Sequence, residues 1–273
     1  MKYCGRFSNK IEMSVFDEVS ILYDRQDRQL ITYLKEHTNQ RTILVVKDLV
    51  DFEQAQEWKK LNAIHEQYPE FNFAVCFGEP KKFEEAHDAL QHCIDNLQTP
   101  FFTGDVVVNF DQLHYLCGLG VCDVYLGEDI CFDLKHAKAI CERTNTQIRA
   151  FPNVSQCSVK SGPALKKFFI RPEDVEEYSD CIDILEFWGP LDRQVILYKI
   201  YTKGEWFGDL KELFLDFDLS FDSRCIMPGF AHARKICGRK CMRGDHCTIC
   251  DSVYSISKKL GEKHIILKKK KNN

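Results

Sequence analysis

An α/β (β/α)8 barrel of the TIM type is the fold class that this 273-residue sequence predicts. Short β-rich runs alternate with amphipathic helical stretches along most of its length, and eight such units can be placed. Alternation of this kind implies a parallel sheet with right-handed crossovers, and eight units favour closure into a barrel. An open dinucleotide-binding sheet would carry a Gly-rich fingerprint after its first strand; none is present, nor is a P-loop.

The first strand is expected at Val19–Tyr23, with a helix over Gln29–Lys35. Met1–Phe16 reads as a cap or hairpin at the barrel bottom. Thr42–Lys47 (TILVVK) is the second strand. Its helix places Phe52, Ala55, Trp58, Leu61, Ile64 and Tyr68 at steps of three or four, one buried stripe. Phe71–Phe77 is the third strand, and Glu79–Pro80 opens a helix carrying Phe83, Ala86, Leu90, Cys93, Ile94 and Leu97. A fourth strand runs from Phe101 towards Val108, with Asn109 capping a helix through Leu119. Asp123–Leu126 and Gln147–Phe151 are the fifth and sixth strands, joined by helix Phe132–Arg143. Pro172–Tyr178 is a short helix, Ile182–Phe187 the seventh strand, and Gln194–Tyr201 and Asp209–Phe214 are helical. Arg224–Met227 is expected as the eighth strand, followed by a cysteine-rich loop and a last helix at Ser252–Leu260. The domain reading is one barrel over 1–267, including a metal loop over 225–250, then a solvated basic tail over 268–273.

The most specific chemistry lies in CGRKCMRGDHCTIC, where Cys237, Cys241, Cys247 and Cys250 fall within fourteen residues among Gly, Arg, Lys and Asp. Four soft ligands this close read as a metal or iron–sulfur site, and neighbouring Arg and Lys favour the thiolates that bind metal. The Cys-x3-Cys-x5-Cys-x2-Cys spacing is short for a zinc ribbon and also suits a [4Fe–4S] cluster, so the residues alone leave zinc and iron–sulfur equally open. Cys225 or His246 could replace one ligand. The other cysteines read mostly as small buried hydrophobes.

Barrel chemistry sits at the C-terminal strand ends. Lys47, Glu128, Asn153 and Glu186 stand there as candidate catalytic residues, because a Lys and two Glu facing one pocket could move protons. Arg25, Asp105 and Gln156 also lie at strand ends. Asp24, Asp48, Glu79 and Asp129 read as helix-start acids. Arg149, inside a strand, must be paired if it points into the barrel.

Gly118–Gly127 (GLGVCDVYLG) and Glu186-Phe187-Trp188-Gly189 resemble elements of the peptidase family U-thirty-two of TIM barrels. The resemblance covers about a quarter of the chain. It implies a barrel enzyme similar to collagenase-like proteases or to oxygen-independent hydroxylases of small molecules and RNA bases, several of which hold a [4Fe–4S] cluster on four cysteines. It also implies Glu186 as a pocket residue. Peptidase activity has no local signature here: there is no His-Glu-x-x-His and no Gly-x-Ser-x-Gly. The function expected is a redox or hydroxylating barrel enzyme. The alternatives are a peptidase or hydrolase on the same barrel, and a non-catalytic zinc-stabilised module that binds nucleic acid or protein.

Net charge is −4, so a nucleic-acid footprint is confined to Lys268–Lys271 and the basic cysteine loop. No apolar run is long enough to span a membrane and no secretory signal is recognisable, so a reducing cytoplasmic setting is expected.

Overall fold

The computed structural model describes residues 1–7, 15–24, 29–78, 87–152, 168–214, 222–227, 229–235, 237 and 248–271. Their strands are β1 (Lys2–Phe7), β2 (Glu18–Leu22), β3 (Arg41–Val46), β4 (Phe73–Phe77), β5 (Phe101–Thr103), β6 (Val106–Val107), β7 (Asp123–Leu126), β8 (Gln147–Ala150) and β9 (Ile184–Phe187). All pairings are parallel, in the order β5-β4-β3-β2-β1-β9-β8-β7-β6. The two edge strands, β5 and β6, are separated in the chain only by Gly104 and Asp105. Together they form one stave, whose first half pairs with β4 and second half with β7. The Cys122 N–H donates to the Phe101 carbonyl at 2.8 Å across the same seam. The sheet therefore closes into an eight-stave parallel barrel, as the alternation predicts.

Which segments supply the staves differs from expectation. Lys2–Phe7, expected as a cap, is the first stave, lying between β2 and β9. Its sequence KYCGRF carries no apolar run because Cys4 lies among the lumen's polar groups, while Tyr3 stacks on Phe187 outside. Ile184–Phe187 is consequently the eighth stave. Arg224–Met227 is no strand. Ser223–Cys225 forms a 3-10 turn, because the Asp222 carboxylate accepts the Arg224 N–H at 2.9 Å and the Asp222 carbonyl accepts from Cys225. Cys225 and Ile226 are buried, which made the segment read as β. The cysteine loop accordingly does not follow the last strand.

The helices are α1 (Leu30–Glu36), α2 (Leu49–Gln54), α3 (Glu57–Gln67), α4 (His87–Asn96), α5 (Phe110–Gly118), α6 (Leu134–Glu142), α7 (Val175–Tyr178), α8 (Leu191–Lys203), α9 (Leu210–Leu213), α10 (Phe230–Lys235) and α11 (Ile249–Lys271). The single helix expected over 52–68 is two, broken at Gln56, which adopts φ +53°. Both still bury the expected stripe through Phe52, Leu61 and Ile64. Asp48 and Asn109 cap α2 and α5 by accepting the N–H groups of Asp51 and Gln112. Gly204, at φ +71°, ends α8 in the left-handed conformation that glycine adopts at least cost. Helix α8 covers β1 and β9, where Tyr198 meets Tyr3 and Phe16 edge-on. The helical backbone of α11 continues through Lys271, taking in the lysine run expected as a tail.

Gly127 keeps the seam tight. Its N–H donates to the Val107 carbonyl at 2.8 Å, and a Cβ there would stand 2.6 Å from that oxygen. Gly127→Ala is expected to prise β6 from β7 and cost about 1–3 kcal/mol of unfolding free energy, measured by urea denaturation.

Candidate functional site

Alternation along each stave sends one set of side chains into the lumen. Its lower half, at the N-terminal strand ends, is ionic. Arg149 of β8 is wholly buried and donates to Asp123 of β7 (Nε–Oδ2, 2.7 Å), to Glu186 of β9 (3.2 Å) and to Glu18 of β2. Arg41 of β3 adds two contacts to Asp123, at 2.9 and 3.1 Å, and one to Gln147. It stands 3.5 Å from Glu18, while Lys2 reaches Glu18 at 3.8 Å. Three carboxylates thus face three cations. Burial opposes the charge on Arg149, but Asp123 and Glu18 outweigh it and hold the guanidinium pKa well above its ordinary value. The thiols enclosed here go the other way: burial pushes Cys4 up, and Cys122 up to about 12, so both stay neutral.

Aromatic rings lie above this layer. The Arg149 guanidinium sits 5.0 Å from the Phe102 ring centroid and 6.0 Å from Tyr125. Tyr125 stacks on Phe151 at 5.3 Å, and Phe151 meets Trp188 edge-on at 5.3 Å. Glu186 links the layers, accepting from Tyr125 Oη at 2.7 Å and from Trp188 Nε1 at 3.3 Å. The partly exposed Trp188 brings this stack to the C-terminal mouth.

The candidate residues separate by depth. Glu186 is fully buried beneath the aromatic stack. Lys47 is exposed at the end of β3. Glu128, after β7, accepts the Phe168 N–H at 3.2 Å, where the chain returns from the segment after β8. Asn153, Gln156, Glu79 and Arg25 lie outside the described residues. Asp48 is the helix-start acid expected, whereas Asp129, before the 3-10 turn Ile130–Phe132, makes no side-chain cap. Asp24 is exposed beyond β2, with α1 starting only at Leu30.

Asp105 has distinctive electrostatics within the barrel wall. It occupies the break between β5 and β6, two residues past the Thr103 that pairs with Phe77. Burial alone raises its carboxyl pKa to about 6, in the range where a general acid or base works near neutrality. Elsewhere in the barrel wall, Tyr23 after β2 donates to Glu57 at 2.7 Å, and burial pushes its phenol pKa up.

The cysteine segment is attached near the same mouth. Helix α10 packs on α7 and on Ile130–Phe132, which leaves the C-terminal end of β7. Arg234 of α10 is buried in a box of phenylalanines, its guanidinium 5.3 Å from the Phe132 centroid, 5.7 Å from Phe168, 4.4 Å from Phe169 and 5.4 Å from Phe230. The N–H of Cys237, three residues on, donates to the Arg234 carbonyl. Cys250 lies in the first turn of α11, and both cysteines are half-buried against the core. Cys241, Cys247 and His246 lie outside the described residues. Among the described residues, no three His, Cys, Asp or Glu converge as metal ligands. Nor is any helix among them long and apolar enough to cross a membrane.

Sequence reasoning missed Glu18, Arg41 and Asp123 as lumen groups. Each begins its stave, and a period-two reading pairs Glu18 with Ser20 and Asp123 with Tyr125 as one face. No family model and no curated protein matches the chain. Among solved structures it is similar to the crystal structure of AP endonuclease, family 2 from Brucella melitensis. That likeness has 10% identity and a TM-score of 0.32 over 75% of this chain and 89% of that one, too slight to bear on chemistry.

Two outcomes test this geometry. Replacing Arg149 by Met takes the cation from Glu186 and leaves Asp123 and Glu18 to Arg41 and Lys2, and is expected to cost about 3–5 kcal/mol of stability in urea denaturation. Arg149→Lys should restore only part, because a single ammonium cannot bridge three staves. For Asp105, the folded carboxyl pKa lies above its unfolded value. Its effect on stability is therefore neutral below about pH 4 and becomes unfavourable as pH rises through about 6. Asp105→Asn should raise the Tm at pH 7–8 and leave it unchanged near pH 4, as read by thermal unfolding across pH.

Proposed function

We propose that the chain is a barrel enzyme working at the C-terminal mouth, with a cysteine-held centre beside it. The reaction class we favour is oxygen-independent hydroxylation, or another redox modification, of a small molecule or an RNA base. The observation that carries this reading is the anchoring of Cys237 through Arg234 to Phe132 and Phe168, buried residues on the segments that follow β7 and β8. The same barrel carries a half-buried carboxylate, Asp105, whose raised pKa suits proton transfer.

Cys237, Cys241, Cys247 and Cys250 would hold the group, a [4Fe–4S] cluster in the first reading and zinc in the second. The half-buried placement of Cys237 and Cys250 fits a site at the edge of the core. When bound, an iron–sulfur cluster supplies single electrons to the reaction. The protein's own residues supply the rest. Trp188, with Phe151 and Tyr125 behind it, offers a face on which a planar ring stacks. Asp105 exchanges a proton with the substrate, and Lys47 and Glu128 stand beyond the C-terminal ends of β3 and β7; Asn153 remains a candidate from the sequence. Glu186 is a positioning residue, holding Tyr125 and Trp188 by their hydrogen bonds. Lys268–Lys271 and the basic cysteine segment would guide a nucleic-acid substrate.

Anaerobic purification with iron, sulfide and zinc analysis and visible spectroscopy tests the reading. A brown protein with stoichiometric iron and sulfide is expected, and Cys241→Ser with Cys247→Ser should remove the colour and the metal. A colourless protein holding one zinc would overturn the redox reaction and favour the zinc-stabilised binding module. Metal retained in the double variant would show that the ligand set is wrong.

A further inference from the structure

The outer wall of the barrel carries a second arrangement of sulfur, remote from the cysteine segment in sequence. Cys117 lies in the last turn of α5 and Cys141 in the last turn of α6, neighbouring helices on one flank. Their sulfurs are 3.9 Å apart, in thiol–thiol hydrogen-bonding contact, and both are buried. A disulfide has an S–S length of about 2.05 Å, so the two atoms need to close by roughly 2 Å. The turn after α6 is shaped around them. Asn145 takes φ +56°, the Thr146 N–H donates to the Cys141 carbonyl at 2.9 Å, and the Thr144 hydroxyl donates to the same carbonyl at 3.1 Å. The Thr144 and Thr146 hydroxyls lie 2.9 Å apart, and Thr146 is held by the Val121 carbonyl at 3.0 Å.

We propose that Cys117 and Cys141 form a dithiol centre that a peroxide oxidises to a disulfide, stapling α5 to α6. The two sulfurs are chemically unequal, as such a centre requires. Hydrogen bonding from the Cys141 thiol stabilises the Cys117 thiolate and draws its pKa down to about 6, against the opposing effect of burial. Cys141 is pushed up and keeps its proton. Cys117 is therefore the attacking sulfur and Cys141 the resolving one. The Cys117 thiolate attacks one peroxide oxygen, the O–O bond breaks, and hydroxide leaves as water after protonation. The Cys141 sulfur then attacks the sulfenyl sulfur, losing its proton as the S–O bond breaks and a second water leaves. Two thiols and one hydrogen peroxide give one disulfide and two waters. Hydrogen peroxide is small enough to reach the pair when the C-terminal turns of α5 and α6 fray, since helix ends open at little cost. Cys93 of α4 provides an internal reference, because burial raises its pKa to about 12 and no thiolate is favoured there.

The test treats the intact chain with a small excess of hydrogen peroxide, alkylates remaining thiols, and maps peptides by mass spectrometry without reduction. The expected product is a linked pair of peptides carrying Cys117 and Cys141, lighter by two hydrogens and separated by dithiothreitol. It should form well before Cys93 is modified, and the urea midpoint of the oxidised protein should shift upward. In Cys141→Ser the reaction should stop at a Cys117 sulfenic acid that dimedone captures. Recovery of Cys117 and Cys141 as free thiols while other cysteines oxidise would overturn the proposal. So would a link that forms no faster than Cys93 reacts, or only in denaturant. The wild-type peptide map decides the matter even where a variant fails to fold.

Discussion

The guanidinium of Arg149 sets the interior of this barrel. One planar cation with five donors spans the lumen from β8 to β2, β7 and β9. No aliphatic side chain could replace that, because Glu186 would lose its cation and Asp123 and Glu18 would keep only Arg41 and Lys2 at the edge of the layer. TIM barrels usually fill their lumen with layers of branched aliphatic residues. Here the lower layer is ionic, and its alignment requires that β2, β7, β8 and β9 keep one register. A slip of one residue on any of them would turn its charge outward.

The polar base also determines what the mouth can be. Glu186 has one oxygen in the ionic layer and the other on Trp188, so the tilt of the aromatic stack is tied to the charge network below. Two further buried arginines attach the C-terminal third. Arg171 grips Asp174 with two contacts, at 2.6 and 2.7 Å, and the Ser223 carbonyl at 3.0 Å. Arg234 is enclosed by four phenylalanines. Arginine suits these positions because its flat, weakly hydrated head packs on rings and reaches several acceptors together.

Much of the barrel was legible because its signals are local. TILVVK, FNFAVCF and DVYL are near-continuous apolar runs of the kind that strands buried on both faces require. The stripe through Phe52, Leu61 and Ile64 is visible at helical spacing even where Gln56 breaks the helix. Lys2–Phe7 was missed because its buried Cys4 lies among polar groups of the lumen, so the strand shows no apolar run. Ser223–Cys225 misled for the opposite reason: its residues are buried without strand pairing.

By itself, then, the sequence determined the parallel alternation, most staves and the requirement that an inward Arg149 be paired. Only the tertiary structure decided which residues pair it. Glu18 lies 131 positions from Arg149 in the chain, and nothing local marks the two as partners. It also decided that β5 and β6 share one stave, that Asp105 sits where burial shifts its titration, and that two thiols on separate helices meet. Periodicity is a property of neighbours in the chain, whereas charge pairing, closure and desolvation depend on neighbours in space, which exist only once the barrel has closed.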